Sequence, residues 1–330
     1  MLDRFAFSDT IVLTMLNALR CPNCFKDLQI NFDKKILNCC NCGESYKKTS
    51  NFFEIISEKD IGYIERKSLE TWGKDLHKAS NKSKVSHINT VSKRFIEFPN
   101  ILSGDILEVG CGTGADAEYI SSFSNVENIV ALDIGENCKE FAKQNLNNKK
   151  LKVVRANCLN IPFKNKQFKF VYSYGVIHHT SNPLKALREI YRVLEPKGKV
   201  YLYVYSSHTK NYFKRLGTFI ESFLMKILSL LEKNLQIYLI YLISIICWFS
   251  FSLPSLILKK LGKKVLAEKF PFHWGITPLK IIPDLKDRFF APVNHRFSIK
   301  TIRTLLSNAN LIEIAIVEDY SGLYLIAQKK

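Results

Sequence analysis

Acidic residues are the scarce class in this sequence: 330 residues hold 30 Asp and Glu against 48 Lys and Arg, leaving a formal charge of +18. That balance excludes an acidic, solvating chain, and it names nucleic acid and anionic membrane surfaces as partner classes. The basic residues are also scattered in pairs such as Lys34-Lys35, Lys149-Lys150 and Lys263-Lys264, which a plain solvated lysine surface explains equally well. No secretory signal is evident, because Met1 to Leu19 has neither a basic lead nor a small-residue cleavage site. The poverty in apolar residues that marks disorder is missing too, with 47% hydrophobic residues and 23 phenylalanines available for a core. An even set of cysteines is absent. The nine present fit a reducing cytoplasm, and five of them cluster at positions 21, 24, 39, 40 and 42, which argues for metal rather than disulfides.

Cys21-Pro-Asn-Cys24 and Cys39-Cys40-Asn-Cys42-Gly43 form two Cys-x-x-Cys knuckles separated by fourteen residues. Two cysteines three apart can turn both thiolates onto one tetrahedral ion, and Gly43 permits the tight positive-φ turn after the second pair. Cys21, Cys24, Cys39 and Cys42 are therefore the candidate zinc ligands, with Cys40 spare and facing away. Leu28–Phe32 and Lys35–Leu37 read as a hairpin turning at Asp33-Lys34. So small a unit depends on its metal for most of its folding free energy. Four thiolates leave no open position, so the zinc is structural; a metal-free or redox use of the same thiols is the alternative. The run from Leu19 through Cys24, Cys42-Gly-Glu-Ser-Tyr46 and Asn51–Ile56 resembles the zinc-ribbon domain that activates tRNA and protein methyltransferases, and is similar to ribbons carried by some bacterial rRNA guanine methyltransferases.

From Asp105 apolar runs alternate with amphipathic ones, the pattern of a doubly wound parallel sheet. Strands are predicted at 105–110, 128–133, 151–156, 169–174 and 198–205, helices at 114–124, 136–147 and 183–194, and two closing strands at 311–317 and 323–328. In such sheets the ligand lies beyond the carboxyl ends of the strands. The first loop, Gly110-Cys111-Gly112-Thr113-Gly114, lets backbone pass close beneath a ligand. Asp133, ending the second strand, stands where a ribose diol is held. The dinucleotide fingerprint places its third glycine one residue later, and Glu108 suits a cationic methionine moiety better than a pyrophosphate.

Taken together, Leu107–Gly114, Ala131-Leu-Asp133, Ile161-Pro-Phe163 and Arg192-Val-Leu-Glu-Pro-Lys-Gly198 resemble the ordered motifs of class I S-adenosylmethionine-dependent methyltransferases. The likeness is nearest to the ubiquinone/menaquinone biosynthesis type, where Val176-Ile-His-His-Thr-Ser-Asn-Pro183 also has a counterpart. It implies a seven-stranded Rossmann-like sheet. It also implies that Glu108, Gly110, Cys111, Gly112, Thr113 and Gly114 line the methionine end, that Asp133 with Ile134 holds the ribose, and that Asn157 and Cys158 flank the adenine. Two residues depart from the pattern: the family usually has acids where Asn157 and Lys169 stand. Asparagine still accepts through its carbonyl oxygen, so a weakened contact is expected; a plain loop residue is the alternative.

His178 and His179 follow the fourth strand, where acceptor and cofactor should meet. A neutral imidazole there can take a proton from a hydroxyl acceptor, His179 being the preferred of the two; packed structural histidines are the alternative. Tyr174, ending the same strand, either contacts the cofactor or belongs to ordinary sheet packing. Leu235 to Leu258 carries 24 residues without charge, long enough to span a membrane. The two closing strands argue against a single crossing, so helices at 212–232 and 235–259 are expected to form either a soluble lid or a hairpin dipping into one leaflet. His295 and Arg296 are candidate polar contacts of an acceptor pocket, or part of a connecting loop.

The expected organisation is a ribbon at 1–60, a helical cap at 61–100, the cofactor core at 101–207, the insertion with an acceptor-side segment at 208–297 and the closing helix and strands at 298–330. The leading function is transfer of a methyl group from S-adenosylmethionine to a small or lipid-like acceptor, in the cytoplasm or at the inner membrane face with peripheral membrane contact. An RNA methyltransferase is the second reading, although Asn-Pro-Pro-Tyr, Asp-Pro-Pro-Tyr and a pyrimidine-methylase cysteine motif are all missing. A non-catalytic scaffold that keeps the fold is the third. Oligomeric state is left open.

Overall fold

Alternating apolar positions, as in Ile106-Leu107 and Ile129-Val130, send successive side chains to opposite faces of one sheet, so both faces are covered. A computed structural model describes residues 17–31, 34–49, 51–57, 59, 61–72, 87–95, 97–208, 223–228, 230–267, 270–273, 275–319 and 321–330. By contact it divides into two compact units, Met1–Ser206 with His295–Lys330, and Ser207–Asn294.

In the first unit β5 (Gly104–Val109), β6 (Val126–Asp133), β7 (Leu151–Arg155), β8 (Phe168–Tyr174) and β9 (Leu194–Val204) run parallel. β10 (Leu311–Glu318) and β11 (Leu323–Lys329) close the far edge, β11 lying antiparallel between β9 and β10. The order β7-β6-β5-β8-β9-β11-β10 is a doubly wound sheet with one reversed strand. Helices α1 (Tyr63–Trp72), α2 (Ile88–Ser92) and α3 (Phe98–Ile101) precede β5, and α4 (Ala115–Ser121) and α5 (Asn137–Gln144) contribute Ala117, Ile120 and Phe141 to one face. Helices α6 (Pro183–Val193) and α11 (Ile299–Asn308) contribute Leu187, Ile190, Ile302 and Leu306 to the other. Asn182 starts α6 by accepting the Lys185 amide at 2.9 Å, with Pro183 in the first turn where its missing N–H costs nothing.

The sheet has eleven strands, not the expected seven. The four extra strands come from the cysteine-rich segment: β1 (Leu28–Asn31), β2 (Ile36–Cys39), β3 (Ser45–Lys48) and β4 (Phe52–Glu54). Strand β4 pairs parallel with β7 through Phe52 to Val153, Phe53 to Val154 and Glu54 to Arg155. The physical reason is the open edge of β7, whose unpaired backbone groups would otherwise face water beside an apolar surface. Asn51 secures the join, its carbonyl accepting the Val153 amide at 2.8 Å and its side chain donating to Ala142 O at 2.7 Å. Full burial of Phe53 and Ile55 adds about 2 kcal/mol for each side chain. β1 and β2 form the expected antiparallel hairpin, although Asp33 at its turn lies outside the described residues.

In the second unit α7 (Lys233–Cys247) passes through a π-helical turn, Trp248–Ser252, into α8 (Leu253–Lys260). The wider turn precedes Pro254, which supplies no backbone N–H. α9 (Lys264–Ala267) follows, then α10 (Pro278–Phe290), which forms from residues read in part as an acceptor-side segment. Ile240, Ile281, Leu285 and Phe289 join α7 to α10 in a small apolar core. Of the expected helix at 212–232, the part up to 222 and residue 229 lie outside the described residues; 223–228 is helical.

Candidate active site

The loop after β5 is built from three glycines with different duties. Gly110 and Gly114 have φ of 80° and 76°. A Cβ would lie 2.1 Å from Val176 Cγ2 at Gly110 and 2.3 Å from the Phe141 ring at Gly114, so both are required by packing. At Gly112, with φ of 51°, a Cβ would meet nothing within 4 Å, and here the loop lies open. The amides of Gly110 and Cys111 both donate to Leu132 O, at 2.7 and 3.0 Å. Asp133 binds the same loop from below: its Oδ2 accepts the Gly112 amide at 2.8 Å and its Oδ1 the Gly135 amide at 2.6 Å. Loop and carboxylate are thus held in place together, with Thr113 and Ile134 partly exposed beside them.

Beneath the loop the charge is acidic. Glu108 and Asp116 are buried, and Glu108 Oε2 has no hydrogen-bond partner. Burial, then Asp116 and Asp133, push the Glu108 carboxyl well above the usual carboxylate range. Its charged neighbours are both acids, so the site favours a cation and repels a pyrophosphate. This donor set fits the methionine end of S-adenosylmethionine, which carries a sulfonium and an ammonium group.

Asp116 was not legible as a site residue. Its Oδ2 accepts from Tyr172 OH at 3.0 Å and lies 3.0 Å from His87 Nδ1, while its Oδ1 accepts the His87 amide at 2.6 Å. His87 in turn stacks on Tyr174 at 4.1 Å between ring centroids, and Tyr203 also stacks on Tyr174, at 4.4 Å. Tyr324 of β11 lies 4.7 Å from Tyr203. Burial raises the Tyr174 hydroxyl, which stays protonated. The spacing Tyr201-x-Tyr203-x-Tyr205 puts two rings on one face of β9 and a third just past its end in the same cluster, and that period of two was the available signal.

His178 and His179 lie on a single 3₁₀ turn, Ile177–His179, after β8. His178 is fully buried, its ring 4.0 Å from Tyr205 and 4.1 Å from His179. His179 is 9% exposed. The turn is tied to the later segment: the His295 amide donates to His178 O at 2.8 Å, and His295 Nε2 lies 3.2 Å from Thr180 O. Burial holds the His295 imidazole below its ordinary 6.5, against the Thr180 bond. Arg296 places its guanidinium 5.4 Å over the Tyr205 ring. The structure therefore brings His178, His179, His295, Arg296 and Tyr205 into one neighbourhood.

Asn157 caps the turn Cys158–Asn160, its Oδ1 accepting the Leu159 amide at 2.9 Å. That bond occupies one of the two acceptor directions of the oxygen expected to face an adenine. Burial pushes the neighbouring Cys158 thiol up to about 12. The loop is stitched to the cysteine-rich segment: Arg20 N donates to Pro162 O at 3.1 Å, Lys164 N to Ala18 O at 2.7 Å, and Lys164 Nζ pairs with Asp27 at 2.7 Å. Leu19 and Phe163 are both 1% exposed at this seam.

Cys21, Cys24, Cys39 and Cys42 gather apart from the loop, at the β1–β2 end of the sheet, with sulfurs all within 4.8 Å of one another. Cys21 and Cys42 are 3.6 Å apart and Cys24 and Cys39 3.3 Å. A tetrahedral zinc with bonds of about 2.3 Å separates sulfurs by roughly 3.8 Å, so the four fit such an ion. Cys40 lies outside the set, donating to Asp27 O at 3.0 Å.

Residues 107–202 match the family model described as a methyltransferase domain. "Probable tRNA methyltransferase 9B" of Mus musculus is 33% identical over 109 residues, covering 32% of this chain and 23% of that protein. Demethylmenaquinone methyltransferase of Oceanobacillus iheyensis is 28% identical over 145 residues, covering 42% and 61%. A solved S-adenosylmethionine-dependent methyltransferase from Aquifex aeolicus superposes with a TM-score of 0.41 at 16% identity, over 75% of this chain and 92% of that one. The chain spans between 22% and 62% of the length of the curated relatives it matches first. The segment 107–202 thus matches a methyltransferase domain.

Proposed function

We propose that the whole protein transfers a methyl group from S-adenosylmethionine to a small or lipid-like acceptor. The observation that carries the cofactor is the acidic set of Glu108, Asp116 and Asp133 beneath a glycine loop that lies open at Gly112. When bound, the cofactor supplies an electrophilic methyl on sulfonium, and the chain's residues hold and align it. Glu108 faces the methionine end, Asp133 and Ile134 the ribose, and Asn157 and Cys158 the adenine. Tyr174, braced between His87 and Tyr203, closes the side of the site. In this reading His179 takes the proton of an acceptor hydroxyl, while His178 holds the turn by stacking on Tyr205. Cys21, Cys24, Cys39 and Cys42 hold a structural zinc that orders the ribbon.

Support for an apolar acceptor comes from the uncharged helical segment in 207–294. RNA is the second reading, favoured by the +18 charge and by the relative named as a tRNA methyltransferase; the relative named as a demethylmenaquinone methyltransferase favours a quinone-like molecule. Incubation with methyl-labelled cofactor and either total RNA or a lipid extract decides between them. Label confined to the lipid fraction is expected, and label confined to RNA overturns the first reading. Calorimetric titration with S-adenosylmethionine tests the cofactor separately, since absence of binding leaves only a scaffold. His179→Gln is expected to lower kcat by about 10²-fold or more with cofactor affinity unchanged.

A further inference from the structure

The unit from Ser207 to Asn294 exposes an apolar surface that its own fold leaves uncovered. Seventeen of the twenty-three exposed large hydrophobic side chains among the described residues fall in this stretch. Leu235, Tyr238, Leu242 and Ile245 recur at three- and four-residue spacing along the Lys233–Cys247 helix, and Phe249 continues the stripe into the π turn. That spacing keeps them on one side of the helix. The other side carries Ile240, fully buried with Ile281 and Leu285, and Ser244, which is 1% exposed. A helix facing water carries polar residues on its outward side, where this one carries apolar residues.

Charge borders this stripe. The helix ends in Lys259-Lys260 and turns through Lys263-Lys264, with Lys260, Lys263 and Lys264 exposed next to Val265 and Leu266. Between 207 and 294 there are thirteen basic and five acidic residues. A surface that is apolar in the middle and cationic at its edge complements acyl chains beneath anionic head groups.

We propose that residues 207–294 dock in the plane of an anionic lipid bilayer, with the Leu235–Phe249 stripe among the acyl chains and Lys260, Lys263 and Lys264 at phosphate level. The continuous helix Asn234–Lys260, 27 residues with mean hydropathy 1.9 in its most apolar window, is long enough to cross a bilayer. Its partner α10 argues for the plane instead. Lys280, Asp284, Lys286 and Arg288 lie on α10, with Arg288 and Asp284 paired at 3.0 Å, and a crossing would carry them into hydrocarbon. The proposal does not rest on the reading of the glycine loop.

The test is flotation of the full chain with vesicles of phosphatidylcholine alone or mixed with phosphatidylglycerol. Wild type is expected to float with the mixed vesicles at least about tenfold better than with the neutral ones. Lys260→Glu/Lys263→Glu/Lys264→Glu is expected to lose that preference. Leu242→Glu/Ile246→Glu, both outward-facing, is expected to stay in the soluble fraction with an unchanged melting curve. No flotation of wild type, or equal flotation of all three proteins, overturns the proposal. So does resistance of the bound protein to alkaline carbonate, which indicates a span. A dimer by ultracentrifugation that the Leu242→Glu/Ile246→Glu pair dissolves, without flotation, assigns the face to a second copy and overturns it too. Titration of the same samples with S-adenosylmethionine reports on the cofactor site independently.

Discussion

Gly110 and Gly112 stand two residues apart in one loop, and the structure gives them opposite consequences. A methyl group at Gly110 collides with the branched side chain of Val176, and its φ is left-handed. Gly110→Ala is expected to cost about 2–4 kcal/mol of stability, seen as a lower melting temperature with or without ligand. Gly112→Ala meets open space and bears only the left-handed backbone strain of about 1 kcal/mol. Its expected signature is weaker binding of S-adenosylmethionine in calorimetry with a nearly unchanged melting curve; equal melting losses in the two variants would contradict the assigned duties. The loop's sequence showed three equivalent glycines, because the neighbours that distinguish them, Val176 at Gly110 and Phe141 at Gly114, lie far along the chain.

Asp319 is a second case at this scale. Arg94 bonds it through Nε at 2.7 Å and through a second guanidinium nitrogen, Ser321 donates from both its amide and its hydroxyl, and Arg94 also lies 4.0 Å over the Tyr324 ring. Burial opposes ionisation of Asp319, but the Ser321 and Arg94 bonds outweigh it and hold the carboxyl below its ordinary 3.8. A depressed folded-state value means the stabilisation is fully present above 3.8 and is lost as pH falls through the folded value. Asp319→Asn is therefore expected to destabilise by about 1–3 kcal/mol near neutral pH. Urea melts of variant and wild type are expected to converge as pH drops below about 3.8.

At the scale of elements, the cysteine-rich segment is a part of the sheet and not an appendage beside it. Pairing of β4 with β7 and the seam from Ala18 to Lys164 connect the cysteine knuckles to strand β7 and the Asn157–Lys164 loop. Arg155, ending β7, pairs with Glu54 of β4 at 2.6 Å. Under the proposed zinc assignment, a chelator is expected to lower the melting temperature and to weaken binding of S-adenosylmethionine several-fold, with both restored by zinc. Binding of the cofactor unchanged in fully metal-free protein would uncouple ribbon from loop. The hairpin and the knuckle spacing were legible because both are local. The β4–β7 pairing was not, since roughly a hundred residues separate Phe53 from Val154 and a three-residue strand carries no period to read.

For the whole molecule, the +18 charge acts at long range and without sequence preference. RNA is expected to bind non-specifically and to be released between about 50 and 200 mM salt, as counterion release requires. Methyl transfer to the true acceptor is expected to survive that change; transfer that falls in step with RNA release in a filter-binding assay would instead support the RNA reading.

Period, glycine spacing and paired cysteines by themselves determined the doubly wound core, the glycine loop and the four-thiol set, because each is written in residues near one another in the chain. Helix α10 was not among them: no helix was predicted over Pro278–Phe290, and it is the packed molecule that brings Ile281, Leu285 and Phe289 against Ile240. Only the tertiary structure decided that the glycine loop rests on three acids, that Tyr174 lies between His87 and Tyr203, that His295 backs the His178 turn, and that four ribbon strands extend the sheet to eleven. These depend on which side chains distant in sequence are buried against each other, and burial is a property of the packed molecule.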